Sequence, residues 1–138
     1  MKRLLLFVPF LCFAISVKAQ NLVNIDTINK DKQIFNAVER IPEFPGGVSA
    51  FGEFLKNTIR YPSVDAKNNV QGKVYIAFVV EKDGSLSNFK VMRSPSETLG
   101  AETIRVLSLS PKWQPGVQGG KPVRVQFTVP VNFSLPKN

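Results

Sequence analysis

Residues 72–94 read GKVYIAFVVEKDGSLSNFKVMRS. Val74, Ile76, Phe78 and Val80 fall on one face of an extended chain. Tyr75, Ala77, Val79 and Glu81 fall on the other, a period of two in β-branched and aromatic residues that predicts a strand. Asp83-Gly84 supplies the positive φ that a tight hairpin needs, so the chain reverses there, and the pair reads as a turn and nothing else. On the return strand Leu86 is apolar, then Phe89 and Val91, a change of parity. An extra residue near Ser87-Asn88 accounts for it, because a bulge flips which side chains face inward. This hairpin is the unit on which the other segments pack.

Downstream, Ser94-Pro95-Ser96-Glu97 predicts a helix start, with Ser94 as cap, proline in the first helical position and Glu97 completing a capping box. Leu99, Thr103, Val106 and Leu107 make its buried stripe, and Pro111 stops it. Gly100 inside it costs about 1 kcal/mol against alanine. Trp113 follows, read as a residue that closes the core, then a Gly119-Gly120 turn and a last strand. There Val123, Val125, Phe127, Val129, Val131 and Phe133 alternate with Arg124, Gln126, Thr128, Pro130 and Asn132. Upstream, Phe51, Phe54, Leu55 and Ile59 recur at helical spacing between Val48 and Ile59. Ser49 is the candidate N-cap, and Tyr61-Pro62 ends the helix, since a residue before proline avoids the α region. Ser63 to Gln71 reads as a connector with a turn at Asn68-Asn69. The order helix, hairpin, helix, strand predicts an α+β fold: a small antiparallel sheet with two helices packed on one face. The expected core joins Phe51, Leu55, Val74, Ile76, Phe78, Leu107, Trp113, Val125 and Phe127.

Ahead of this, Lys2-Arg3 precedes an apolar run from Leu4 to Val17, closed by Lys18-Ala19-Gln20. The run is shorter than the roughly 20 residues of a bilayer-spanning helix and contains Pro9. It reads as an export signal over residues 1–20, cleaved near Ala19-Gln20, with an uncleaved inner-membrane anchor as the alternative. Residues 21–33 are polar and aperiodic, a flexible leader. Residues 34–60 form an N-terminal extension: a short strand within Ile34 to Val38, then the helix. Between them Ile41-Pro42-Glu43-Phe44-Pro45-Gly46-Gly47 makes a chain corner with Phe44 tucked into the core.

Of the 138 residues none is histidine, and the single cysteine, Cys12, lies inside the candidate signal. That excludes His-dependent nucleophile systems, the commonest zinc sites and a disulfide framework in the exported part. Glu39, Glu43 and Glu53 come with no nucleophile or metal-ligand set. The reading is therefore a non-enzymatic protein with no cofactor, no metal and no small-molecule substrate. The formal net charge of +8 falls by three if residues 1–20 are removed, and the remaining cations are scattered rather than clustered. A solvated surface, not a nucleic-acid site, follows.

Tyr61-Pro62, Gly72-x-Val74-x-Ile76-x-Phe78-x-Val80, Asp83-Gly84-x-Leu86, Val91-x-x-Ser94, Trp113-x-Pro115, Gly120-Lys121-Pro122-Val123 and Val129-Pro130-Val131-x-Phe133 occur in one order. Together, over residues 61–138, they resemble the periplasmic C-terminal domain of the TonB family, and Pro42 to Gly47 with its helix resembles an extension found before it in some members. The resemblance implies a periplasmic module that docks on an outer-membrane TonB-dependent transporter by pairing with a short transporter segment, the TonB box. Carried over, the partner-binding residues are Val123, Arg124, Val125, Gln126, Phe127, Thr128 and Val129 of the last strand, with Arg60, Tyr61 and Pro62. Two alternatives use the same residues: an envelope subunit that dimerises through the same edge, and a membrane-anchored energy transducer if the N-terminus is retained. Pro130 bears on the mechanism. Proline has no N–H, so within a sheet it sits where that group would face solvent, and the even-numbered residues Arg124, Gln126 and Thr128 share its side. An open edge that accepts another strand is the expectation.

Overall fold

In the computed structural model, which describes residues 33–137, eight elements follow in order. They are β1 (Ile34–Phe35), α1 (Gly47–Thr58), α2 (Ser63–Lys67), β2 (Gly72–Val80), β3 (Leu86–Arg93), α3 (Glu97–Ser108), β4 (Gly116–Gln118) and β5 (Lys121–Phe133). The expected export signal and all but the last residue of the leader lie outside the described residues. Among the described residues no helix is long and apolar enough to cross a membrane.

The sheet runs β1-β5-β2-β3, with β4 also paired to β5. β2 is central, antiparallel to β3 and to β5, in register from Gly72 opposite Phe133 to Val80 opposite Val125. The α+β expectation holds, with two corrections. β1 pairs parallel with β5, so the sheet is mixed, and the supposed connector holds a third helix, α2. The bulge lies where the parity change put it. Lys90 faces Ala77 and Ser87 faces Val79, leaving one extra residue on β3, and Asn88 takes φ 52° there.

Val74, Ile76, Phe78 and Val80 are fully buried, with Val129, Val131 and Phe133 of β5 beside them and Leu99 and Leu107 of α3 on top. Of the expected core, Phe51, Leu55 and Phe127 are only partly buried. Phe44 is buried, as its turn predicted, and Trp113 closes the core over an aromatic cluster. Ring centroids lie 5.7 Å away at Phe44, 5.3 Å at Phe51, 5.4 Å at Phe78 and 6.1 Å at Phe127. Edge-on pairs of this kind add to what their buried area contributes.

Both helix starts differ from expectation. Gly46, with φ 87°, precedes α1 and no side chain caps it, so Ser49 lies inside the helix. α3 is capped by Ser96, whose Oγ accepts from Leu99 N–H at 3.1 Å, two residues after the expected Ser94; Ser94 instead donates to the Ser96 carbonyl. Proline is favoured in a first turn, but here the serine after it has the extended backbone a cap requires. Gly100 is buried, and a Cβ there would meet both Val91 methyls at 3.3 Å. The glycine that weakens the helix lets it settle closely on β3.

Candidate strand-docking edge on β5

β5 is a 13-residue strand whose two sides do different work. Its odd-numbered side chains from Val125 to Phe133 turn toward the core, and Gln126, Thr128, Pro130 and Asn132 are exposed on the opposite face. Pro130 stands opposite Tyr75 of β2 and has no N–H to give. That makes the pair one of the widely spaced positions of an antiparallel ladder, whose backbone groups point away from the partner strand. The even-numbered residues of β5 therefore aim their amides and carbonyls away from β2.

Part of this outer edge is already taken. β1 pairs Ile34 with Arg124 and Phe35 with Val125. Arg124 is thus not open, contrary to expectation, because two residues of the N-terminal extension occupy its stretch of the edge. Beyond Val125 no strand among the described residues lies on that side. The strip from the Gln126 carbonyl to Asn132 keeps a carbonyl-and-amide edge of the kind that templates a further strand.

The polar face carries one organised charge pair. Arg124 donates through Nε at 2.6 Å and through a terminal nitrogen at 3.0 Å to the two carboxylate oxygens of Glu81, and Ser87 Oγ donates to Glu81 at 2.6 Å. The Arg124 hydrogen bond, opposed by partial burial and helped by Ser87, holds the Glu81 carboxyl below its ordinary 4.5.

Arg60, Tyr61 and Pro62 are not beside Val123–Val125. Tyr61 stacks edge-on against Phe133 at 5.8 Å, at the opposite end of β5, about 30 Å from Arg124 at the usual strand rise. Its hydroxyl donates to the Val70 carbonyl, and burial followed by the nearby Asp65 raises its pKa. The Arg60 amide donates at 2.6 Å to Glu102, a nearly buried carboxylate on α3 that also accepts from Arg105 at 2.5 and 2.9 Å. Arg105 reaches on to the Thr58 carbonyl at 2.8 Å. Burial pushes the Glu102 carboxyl up, but Arg105 and the Arg60 amide outweigh it and hold the pKa below 4.5. Sequence reading missed Glu102. Its only signal was an acid falling beside Thr103 in the buried stripe of α3, three residues before an arginine.

A family model described as Gram-negative bacterial TonB protein C-terminal matches residues 57–135, more than half of the chain. The chain belongs to the TonB C-terminal family.

Solution structures of TonB C-terminal domains are similar to it. That from Pseudomonas aeruginosa is 27% identical, with a TM-score of 0.48, over 58% of this chain and 81% of that one. One from Helicobacter pylori is 21% identical, with a TM-score of 0.47, over 63% and 78%. No curated protein matches the chain. TonB C-terminal domains are periplasmic modules of protein interaction in TonB-dependent transport. The family match begins at residue 57, so most of α1 and all of the Pro42 to Gly47 corner lie ahead of it. Yet residues 33–137 lie in one compact unit. The extension is packed into the TonB C-terminal domain through Phe44 and Phe51.

Proposed function

We propose that this domain binds an extended, TonB-box-like segment of an outer-membrane transporter by adding it as a strand to β5. The observation that carries the reading is the edge from the Gln126 carbonyl to Asn132, whose even-numbered backbone groups point away from β2 and meet no other strand among the described residues. Strand addition of this kind draws its affinity from main-chain hydrogen bonds and its specificity from side chains at alternate positions. Gln126, Phe127, Thr128 and Val129 form the docking strip. Val123, Arg124 and Val125 frame it, since β4 already pairs with Val123 and β1 with Arg124 and Val125. Arg60, Tyr61 and Pro62, at the Phe133 end, are a second contact for the same partner rather than part of one patch with Arg124. Residues 1–20 act as an export signal, removed near Ala19-Gln20, and the domain works in the periplasm.

Titrating a TonB-box-type peptide into the ¹⁵N-labelled protein tests this. The amides of Thr128 and Asn132 should shift most. Thr128→Pro, which removes an outward N–H as Pro130 already does, should abolish binding while the rest of the amide spectrum stays folded. Shifts confined to another surface would remove the reading. A protein that elutes as a dimer, with Thr128 already paired in the absence of peptide, would assign the edge to a second copy instead.

A further inference from the structure

Alongside the free edge lies a cavity of about 510 Å³. One wall is the edge itself, Phe127 to Pro130. The facing wall comes from the N-terminal extension, Ile41 to Phe44 with Val48 and Phe51, and Trp113 is shared between them. Its surface is mostly apolar, and its rim carries two large side chains in water, Ile41 at 63% and Val48 at 88% exposure. Scattered exposed aliphatics mean nothing alone. These two flank a groove whose other wall is an unpaired backbone edge, and that combination specifies the shape of what fits.

The alternation of the sheet supplies the rest. In paired strands, directly opposite residues project from the same face. A strand added to β5 places the residues opposite Gln126, Thr128 and Pro130 on the exposed polar face. It places the residues opposite Phe127 and Val129 on the face of the groove. The backbone edge calls for an extended chain, and the groove beside it calls for apolar side chains two residues apart. β1 shows that the edge already pairs with a separate segment of the chain just upstream, at Arg124 and Val125, and the groove begins at Phe127.

Resting on the strand-addition reading above, we infer that the N-terminal extension is a specificity wall. It makes β5 select an extended partner segment with aliphatic or aromatic side chains at positions i and i+2, opposite Phe127 and Val129. The extension, outside the part of the chain that matches the family model, thereby helps choose the partner.

The test uses the full chain and two six-residue peptides of equal charge, one with leucine and one with serine at the two groove-facing positions. Trp113 is the only tryptophan, so its fluorescence reports on the groove, and the Thr128 amide reports on the edge. The leucine peptide should bind roughly ten- to hundredfold tighter, the range for two leucines each about half buried in the open groove, and should change the Trp113 emission. Val48→Asp alters an exposed residue and should remove that preference while leaving the weaker serine peptide unaffected. If both peptides shift Thr128 with equal affinity, the wall does not select and the inference fails, while strand addition stands. If neither peptide moves Thr128, both readings fall. If Trp113 emission changes on dilution without peptide, the groove holds a second copy and the inference is overturned.

Discussion

Gly84 offers the sharpest test of how this domain is held together, because two distinct causes for a glycine coincide there. The local turn is self-sufficient. Gly84 N–H donates to Glu81 at 2.9 Å, Glu81 N–H to Ser85 at 2.8 Å, and Asp83 accepts from the Ser85 amide and hydroxyl. Gly84 takes φ +89°, the left-handed region. A residue with a Cβ loses roughly 1–2 kcal/mol there. Independently, the Trp113 amide donates to the Gly84 carbonyl at 2.8 Å, and a Cβ on Gly84 would lie 2.0 Å from the Trp113 carbonyl oxygen. No backbone tolerates that approach, so the segment at Trp113 must lift away. Lifting it loses about 1 kcal/mol for the hydrogen bond. It also loosens a tryptophan whose full truncation would cost about 3–5 kcal/mol.

Gly84→Ala should therefore cost about 3–5 kcal/mol, taking a third to a half of the tryptophan's packing as lost. Against a typical domain stability of about 5–15 kcal/mol, that is a large share. Urea unfolding followed through the single tryptophan gives the value. Gly84→Asn separates the causes. Asparagine is among the residues that accept left-handed backbone most readily, so a turn problem would be largely repaired by it. The clash with Trp113 is the same for any Cβ. The two variants should differ by no more than about 1–2 kcal/mol, the handedness cost alone, with Gly84→Asn still clearly destabilised. If Gly84→Asn is as stable as the parent, the turn alone needs the glycine and the Trp113 clamp is refuted.

Other outcomes follow from the same structure. Phe44→Ala removes a buried ring in contact with Phe51, Phe54 and Trp113, and should cost about 3 kcal/mol in urea unfolding, the low end for such changes because the adjoining groove lets the site relax. An effect near zero would detach the extension from the core. Phe78→Ala, fully buried on the central strand, should cost about 3–5 kcal/mol by the same assay. Glu81 and Glu102 both have folded pKa values held below 4.5, so their contribution is complete above that pH and is lost as pH falls through the folded values. Thermal unfolding at stepped pH should show the loss below about 4.5, and Glu102→Gln should flatten it. Intact-mass measurement of the exported protein should lack residues 1–19; recovery of the full chain in the inner-membrane fraction would restore the anchored reading.

The hairpin, the bulge and the two long helices were legible because each has a local cause: period-two burial, a parity change, apolar residues at helical spacing. The direction of β1 was not legible. Two residues, Ile34 and Phe35, carry no pattern that distinguishes parallel from antiparallel pairing, and only the path through the Pro42 to Gly47 corner decides it. The helix caps failed for a related reason. Ser94 and Ser96 both satisfy the local rule, and the choice between them depends on where the strand before them lets go. At the candidate site, Pro130 announced the outward parity of β5 from sequence alone. What it could not announce was that β1 takes the edge at Arg124 and Val125, since Ile34 and Phe35 lie about ninety residues away along the chain.

Trp113 explains why the extension and the family domain cannot be treated as separate pieces. Its ring touches Phe44 and Phe51 of the extension on one side and Phe78 and Phe127 of the sheet on the other. Its backbone is fixed to the hairpin tip at Gly84, and its indole N–H donates to Ser110 at 2.9 Å. Next to it, Gln114 and Val117 pair with Glu43 and Arg40 of the extension. Anything that moves Trp113 therefore moves the wall at Phe44 and the strand at Phe127 together. These are the two surfaces between which an incoming strand would lie. A partner seated on β5 would be felt at Gly84, on the far side of the tryptophan, through continuous contact. Binding and core stability should thus be linked in this domain, and destabilising Gly84 variants should weaken peptide affinity although Gly84 lies outside the groove.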